Sequence, residues 1–147
     1  MTRPRVLLMA AIFASAASYG SAQQPGRVMS GASMIEHDAD VATNEPGTHN
    51  GGGMTVGYSF FKNAPGLNLV FRKRALKPGS GIGYHEQKED EIYYVLSGKG
   101  VLTLDGKTYD VGPGAAILTR PGSSHGLKQA GTDDLVILIN YEVKPVR

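Results

Sequence analysis

GSGIGYHEQKEDEIYYVLSG (residues 79–98) decides how the rest of the chain is read. Between glycine-rich ends it gathers His85, Gln87 and Glu91. Imidazole, amide oxygen and carboxylate all offer lone pairs to a divalent metal. A second stretch, GAAILTRPGSSHGLKQ (residues 114–129), adds a further imidazole at His125. Together they point to a small β-barrel with a metal in it.

The sequence around these stretches alternates in short runs. Residues 55–61 form a candidate strand, and 67–76 another, with Leu67, Leu69 and Phe71 on one face and Arg72 and Arg74 on the other. Further strands are expected over 83–87, 91–97, 100–104, 107–111, 115–118, 125–129 and 135–142. Ser97-Gly98-Lys99 and Asp105-Gly106 read as hairpin turns, the second a strong Asp-Gly signal. No window carries a sustained helical apolar period, so the chain is all-β. Eight or so short strands close as a barrel or stack as a jelly roll, with room inside for one small ligand. Two-residue periodicity puts Glu91, Tyr93 and Val95 on one face and Ile92, Tyr94 and Leu96 on the other. It likewise groups His85 with Gln87, and His125 with Leu127 and Gln129.

The chain has 147 residues, enough for one domain with a real core. Its 20 glycines suit many tight turns, and it has no Cys, so its stability rests on the core alone. Arg3 and Arg5, an apolar run over 6–17, and small residues Gly20 and Ala22 have the three-part layout of a secretory signal peptide over residues 1–22. That layout predicts a periplasmic or secreted protein, with no membrane attachment after cleavage. Removal of Arg3 and Arg5 leaves the mature chain near neutral, 13 basic against 13 acidic residues, which argues against nucleic acid as a partner. Residues 23–53 have no sustained period and read as an irregular segment, with at most a short extended piece over 32–36. The GTHNGGG tract (47–53) reads as flexible, and His37 and His49 as solvated loop histidines. Residues 54–147 are the expected barrel domain.

The two stretches resemble the paired motifs of the cupin superfamily. The first runs Gly79, five residues, His85, one residue, Gln87, three residues, Glu91, six residues, Gly98; Gln87 stands where a second His is usual. The second runs Gly114, five residues, Arg120, one residue, Gly122, two residues, His125, three residues, Gln129. There Arg120 replaces the usual Pro and Gln129 the usual Asn. Fifteen residues lie between Gly98 and Gly114, close to the short spacing of small microbial cupins. The resemblance covers about residues 71–141. It implies a single cupin β-barrel, or double-stranded jelly roll, preceded by the signal peptide. It also implies one divalent metal ion (Fe, Mn, Ni, Co, Zn or Cu) on His85, Gln87, Glu91 and His125, with Gln87 the altered position. Some cupins keep the barrel without a metal and use these positions for ligand or proton transfer.

Other residues carry open readings. Tyr93, beside Glu91, either orients or protonates a substrate or is a plain core tyrosine. Tyr84 is expected to pack outward, and Gln129 to hydrogen-bond the ligand or its surroundings. Arg72 and Arg74 recognise an anion if their face is interior; a solvated outer face is the plainer reading. Arg120 reads as a surface or loop-bracing residue. No nucleophile elbow surrounds Ser123-Ser124-His125, and no phosphate-binding glycine loop precedes a helix. The resemblance therefore implies a metalloenzyme acting on a small molecule inside the barrel, of dioxygenase or isomerase type, with Glu91 and Tyr93 as catalytic groups. The alternative is a module that binds a small, sugar-like ligand without turnover. It also implies a homodimer, with residues 23–54 contributing.

Overall fold

The computed structural model describes residues 33–143. The expected signal peptide and residues 23–32 lie outside that range. Ten strands form in chain order: β1 (Ala42–Pro46), β2 (Met54–Phe60), β3 (Leu69–Leu76), β4 (Gly81–Glu86), β5 (Glu91–Ser97), β6 (Lys99–Leu104), β7 (Lys107–Val111), β8 (Ala116–Thr119), β9 (Ser124–Ala130) and β10 (Leu135–Glu142). One helical turn, α1 (Asp38–Val41), precedes β1, and a 3-10 turn spans Thr48–Asn50.

The strands make two sheets, of order β1-β2-β3-β10-β5-β8 and β4-β9-β6-β7, with every pairing antiparallel. Two facing antiparallel sheets of this kind make a jelly-roll arrangement. Leu76, Val95, Ile137 and Ile139 from the larger sheet meet Ile82, Leu102 and Leu127 from the smaller one in a single core. Each is fully or nearly buried, so truncating one to Ala costs about 2–5 kcal/mol.

Turn chemistry explains the joints. Asp105 and Gly106 both have positive φ, 47° and 78°, as the tight hairpin between β6 and β7 requires. Gly98 is different. β5 and β6 lie in different sheets, so Ser97-Gly98-Lys99 is the corner where the chain changes sheet rather than the hairpin the sequence suggests. Its φ is 80°, and a Cβ there would lie 2.2 Å from the Asp134 carbonyl oxygen.

The segment before residue 54 also departs from the irregular reading. β1 pairs residue for residue with β2, from Ala42↔Tyr58 to Pro46↔Met54. Its sequence, ATNEP, has no apolar alternation because nearly all of it stays exposed. What fixes it is backbone pairing and one ion pair, Glu45 Oε1 to Arg74 Nη2 at 2.9 Å. Gly57 leaves room for that bridge, since a Cβ there would sit 1.8 Å from Glu45 Oε1.

Candidate functional site

β5 lays Glu91, Tyr93 and Val95 inward and Ile92, Tyr94 and Leu96 outward, the alternation its sequence carries. Glu91 is paired across the sheet with Thr119 and Tyr141, and Tyr93 with Ile117 and Ile139. On the opposite sheet His85 of β4 faces His125 of β9 as a direct cross-strand pair. The register between these strands shifts between Ile82 and His85. Ile82 is buried, so strict alternation would send Tyr84 inward and His85 out. The bulge adds one residue, leaving Tyr84 55% exposed and turning His85 to the interior. Gly126 lies beneath it, where a Cβ would come within 3.0 Å of Tyr84 backbone.

These side chains meet at a cavity of about 320 Å³, whose wall includes His85, Gln87, Glu91 and Tyr93. His125 is completely buried behind them. Its Nε2 lies 3.2 Å from Glu91 Oε2 and 3.3 Å from the Tyr93 hydroxyl, and its ring is edge-on to His85 with centroids 4.7 Å apart. Its Nδ1 is hydrogen-bonded to Thr119 Oγ1. His85 Nδ1 donates to the Gly83 carbonyl at 2.8 Å. The carbonyl can only accept, so His85 keeps an Nε2 lone pair, whereas the Thr119 hydroxyl can donate to or accept from His125 Nδ1 and leaves either tautomer of that ring open. Glu91 Oε2 is buried without a hydrogen-bond partner. Gln87 is 7% exposed, and its backbone is held by Ser123 and Gly122.

The structure thus brings His85, Gln87, Glu91, Tyr93 and His125 to one place. Among the described residues, however, no three His, Asp or Glu side chains already stand in a geometry that would hold a metal ion. Burial, then the charge of Glu91 beside it, push the Tyr93 phenol well above its ordinary value. It stays protonated.

Three other readings of the sequence change, those of His49, of the face carrying Arg72 and Arg74, and of Gln129, while Arg120 keeps the bracing role expected of it. His49 is not a solvated loop residue: its ring stacks on His85 with centroids 3.5 Å apart and planes 5° from parallel, and it lines the cavity. Burial and the neighbouring His85 lower its pKa. Arg72 and Arg74 face inward and both line the cavity. Arg74 is 3% exposed and also donates to Thr55 Oγ1 at 2.8 Å. The two-residue period separates the faces of β3 correctly, but Leu67 and Leu69 lie on the exposed side. Gln129 stays away from the site; it accepts from Gly79 N–H and donates to Gly131 and Asp133 carbonyls. Arg120 braces the rim through Asp90 at 2.8 Å, with both groups exposed.

Thr119 carries no motif signal of its own. Only its place two residues after buried Ile117, hence on the same strand face, hinted at it.

Comparison with known proteins agrees with this arrangement. Residues 73–141 match the Cupin domain family. An oxalate-binding protein of Thermotoga maritima is 39% identical over 70 residues, 47% of this chain and 58% of that protein. The chain thus aligns with a little over half the length of that relative. A crystal structure from Thermotoga maritima described as a predicted oxalate decarboxylase superposes with TM-score 0.69 and 28% identity, covering 76% of this chain and all of that one. The polyketide cyclase of Streptomyces resistomycificus superposes with TM-score 0.64 and 25% identity, over 78% and 83% of the two chains. Paired motifs, a bulged His85 facing His125, and two facing sheets over the matched residues converge on one conclusion: residues 73–141 of this chain form a small cupin domain.

Proposed function

We propose that this cupin is an exported metalloprotein that works on a small organic molecule at the barrel cavity. The observation that carries the metal is Glu91 Oε2. It is a buried carboxylate oxygen without a hydrogen bond, 3.2 Å from His125 Nε2. In the tautomer where Thr119 donates to His125 Nδ1, a carboxylate oxygen and an imidazole lone pair face each other at the cavity wall. That contact is repulsive unless a cation or a proton lies between them. His85, Glu91 and His125 would hold a divalent metal, with Gln87 as a weaker neutral oxygen donor. Bound there, such an ion polarises a substrate oxygen or opens a site for oxygen chemistry.

The chain's own groups then have separate tasks. Tyr93 keeps its proton, so its hydroxyl donates to a substrate oxygen or delivers the proton when charge develops there. The Gly83 carbonyl fixes the tautomer of His85, and Thr119 holds the His125 ring in place through Nδ1. His49 covers one face of the His85 ring and narrows access from that side. Isomerase-type turnover needs a polarised oxygen and one placed proton, which this set would supply with a metal bound. Dioxygenase-type turnover would also need O2 and a redox-active metal such as iron. The second reading is capture without turnover. The oxalate-binding relative supports it, and a substrate panel separates the two.

Elemental analysis of protein purified without chelator or histidine tag tests the proposal. Near one equivalent of a single divalent metal is expected, lost in His125→Ala. No metal in either protein after reconstitution overturns it. Intact mass of the exported product, beginning at Gln23, checks the leader in the same preparation.

A further inference from the structure

We infer that the ligand of this cavity is a small carboxylate, and that Arg72 is the residue that selects for its charge. The inference rests on the cavity being the working site, but not on the metal. Arg72 projects inward from β3 on the same face as Arg74, and it lines the cavity together with Tyr93, Glu91 and His85. It is paired across the sheet with Ile139, which is paired in turn with Tyr93. Arg72 and Tyr93 therefore occupy one cross-strand row, two strand spacings apart, or about 10 Å between backbones. A molecule of a few heavy atoms suits the space between the tips of two such side chains.

What distinguishes Arg72 is its lack of a partner. Its Nε is buried and has no hydrogen bond among the described residues. Three carboxylates line the adjoining hollow that Arg72 also borders, namely Glu36, Asp40 and Glu45. Each is engaged elsewhere. Glu36 Oε2 accepts the Phe61 N–H at 2.6 Å, Asp40 Oδ2 accepts the His37 N–H at 2.9 Å, and Glu45 is paired with Arg74. Arg74 is thus neutralised within the fold, and Arg72 is not. A half-buried guanidinium with an unsatisfied buried N–H is costly to keep unless an anion completes it. Its planar fork matches a carboxylate in two-point contact. The ligand would lie with its charged end on Arg72 and its other end toward Tyr93 and the His125–Glu91 pair.

Calorimetry with oxalate and malonate against their neutral diamides, oxamide and malonamide, tests this on the wild-type protein without any variant. The dicarboxylates are expected to bind at least tenfold tighter than the diamides. Arg72→Gln should remove most of that preference, weakening dicarboxylate binding far more than diamide binding, while leaving metal content unchanged. Arg72→Lys should restore the preference in part, since it returns charge without the fork. Equal affinity for acid and diamide in the wild type, or an undiminished preference in Arg72→Gln, overturns the inference. Should Arg72→Gln fail to fold, the wild-type comparison and Arg72→Lys decide. Metal content measured in the same samples separates the two claims. Charge-selective binding to metal-free protein keeps Arg72 and sinks the metal, whereas metal-bearing protein indifferent to charge does the reverse.

Discussion

Tyr93 shows how one residue's surroundings fix its chemistry. Its hydroxyl is buried beside a carboxylate, and both effects oppose ionisation, so its folded-state pKa lies above its unfolded value of 10.0. The sign of the linkage follows. Below about pH 10 both states hold the proton and the group is neutral to stability. Above it the unfolded chain loses a proton that the native state keeps, so stability falls as pH rises. The slope reaches at most about 1.4 kcal/mol per pH unit for one proton. Urea midpoints between about pH 8 and pH 11 should therefore decline more steeply in the wild type than in Tyr93→Phe. Parallel declines would show that the phenol ionises freely in the fold. At this scale the sequence was informative where alternation alone decides, as for Glu91 and Tyr93. It was silent about His49, whose environment depends on a ring brought from a distant strand.

At the scale of elements, the GTHNGGG tract is a docked strap. Its carbonyl and amide groups lie directly on β4. Gly81 N–H donates to Gly52 O at 3.2 Å, and a Cβ on Gly83 would stand 1.8 Å from the His49 carbonyl oxygen. Glycine is needed on β4 for contact rather than for flexibility. The strap also holds two non-glycine residues at positive φ, His49 at 51° and Asn50 at 59°, a local cost that its docking must offset. Gly83→Ala is expected to lift the strap, destabilise the fold by about 1–3 kcal/mol, and unstack His49 from His85. Amide exchange reads this directly: protection of residues 47–53 should drop in Gly83→Ala and change less in His49→Ala, which removes the ring without a clash. Unchanged protection in Gly83→Ala would mean that the strap docks without glycine. A glycine-rich tract reads as flexible because composition reports conformational freedom, whereas close backbone approach needs the same residue for the opposite end. β1 was hidden for a related reason, since an exposed edge strand needs no apolar period. β5, β7 and β10 were legible to the residue because one face of each strand is buried or a tight turn fixes its register.

For the whole molecule, the outer face of the larger sheet is the feature that one chain leaves unfinished. Ile92, Tyr94 and Leu96 of β5 and Leu118 of β8 point away from the core and are 41–50% exposed. Ile92 is the cross-strand partner of Leu118, and Tyr94 of half-buried Leu138, so these side chains form one apolar patch. Patches of this kind on a near-neutral protein mark contact surfaces. We propose that a second copy covers it, as the resemblance to small cupins implies, because a two-fold axis lets the same patch serve both partners. A stable pair needs about 1,200–2,000 Å² of total buried surface, more than these side chains supply, so residues before β2 would have to add to it. Sedimentation equilibrium should report a dimer, converted to monomer by Ile92→Glu with Leu118→Glu. Both substitutions lie on the face opposite Glu91 and Tyr93, so the monomer should keep the ligand affinity of the cavity. A wild-type monomer at high concentration would leave the patch without this partner. Loss of ligand affinity on dissociation would instead mean that the cavity depends on the neighbouring chain, through the sheet that Glu91 and Ile92 share.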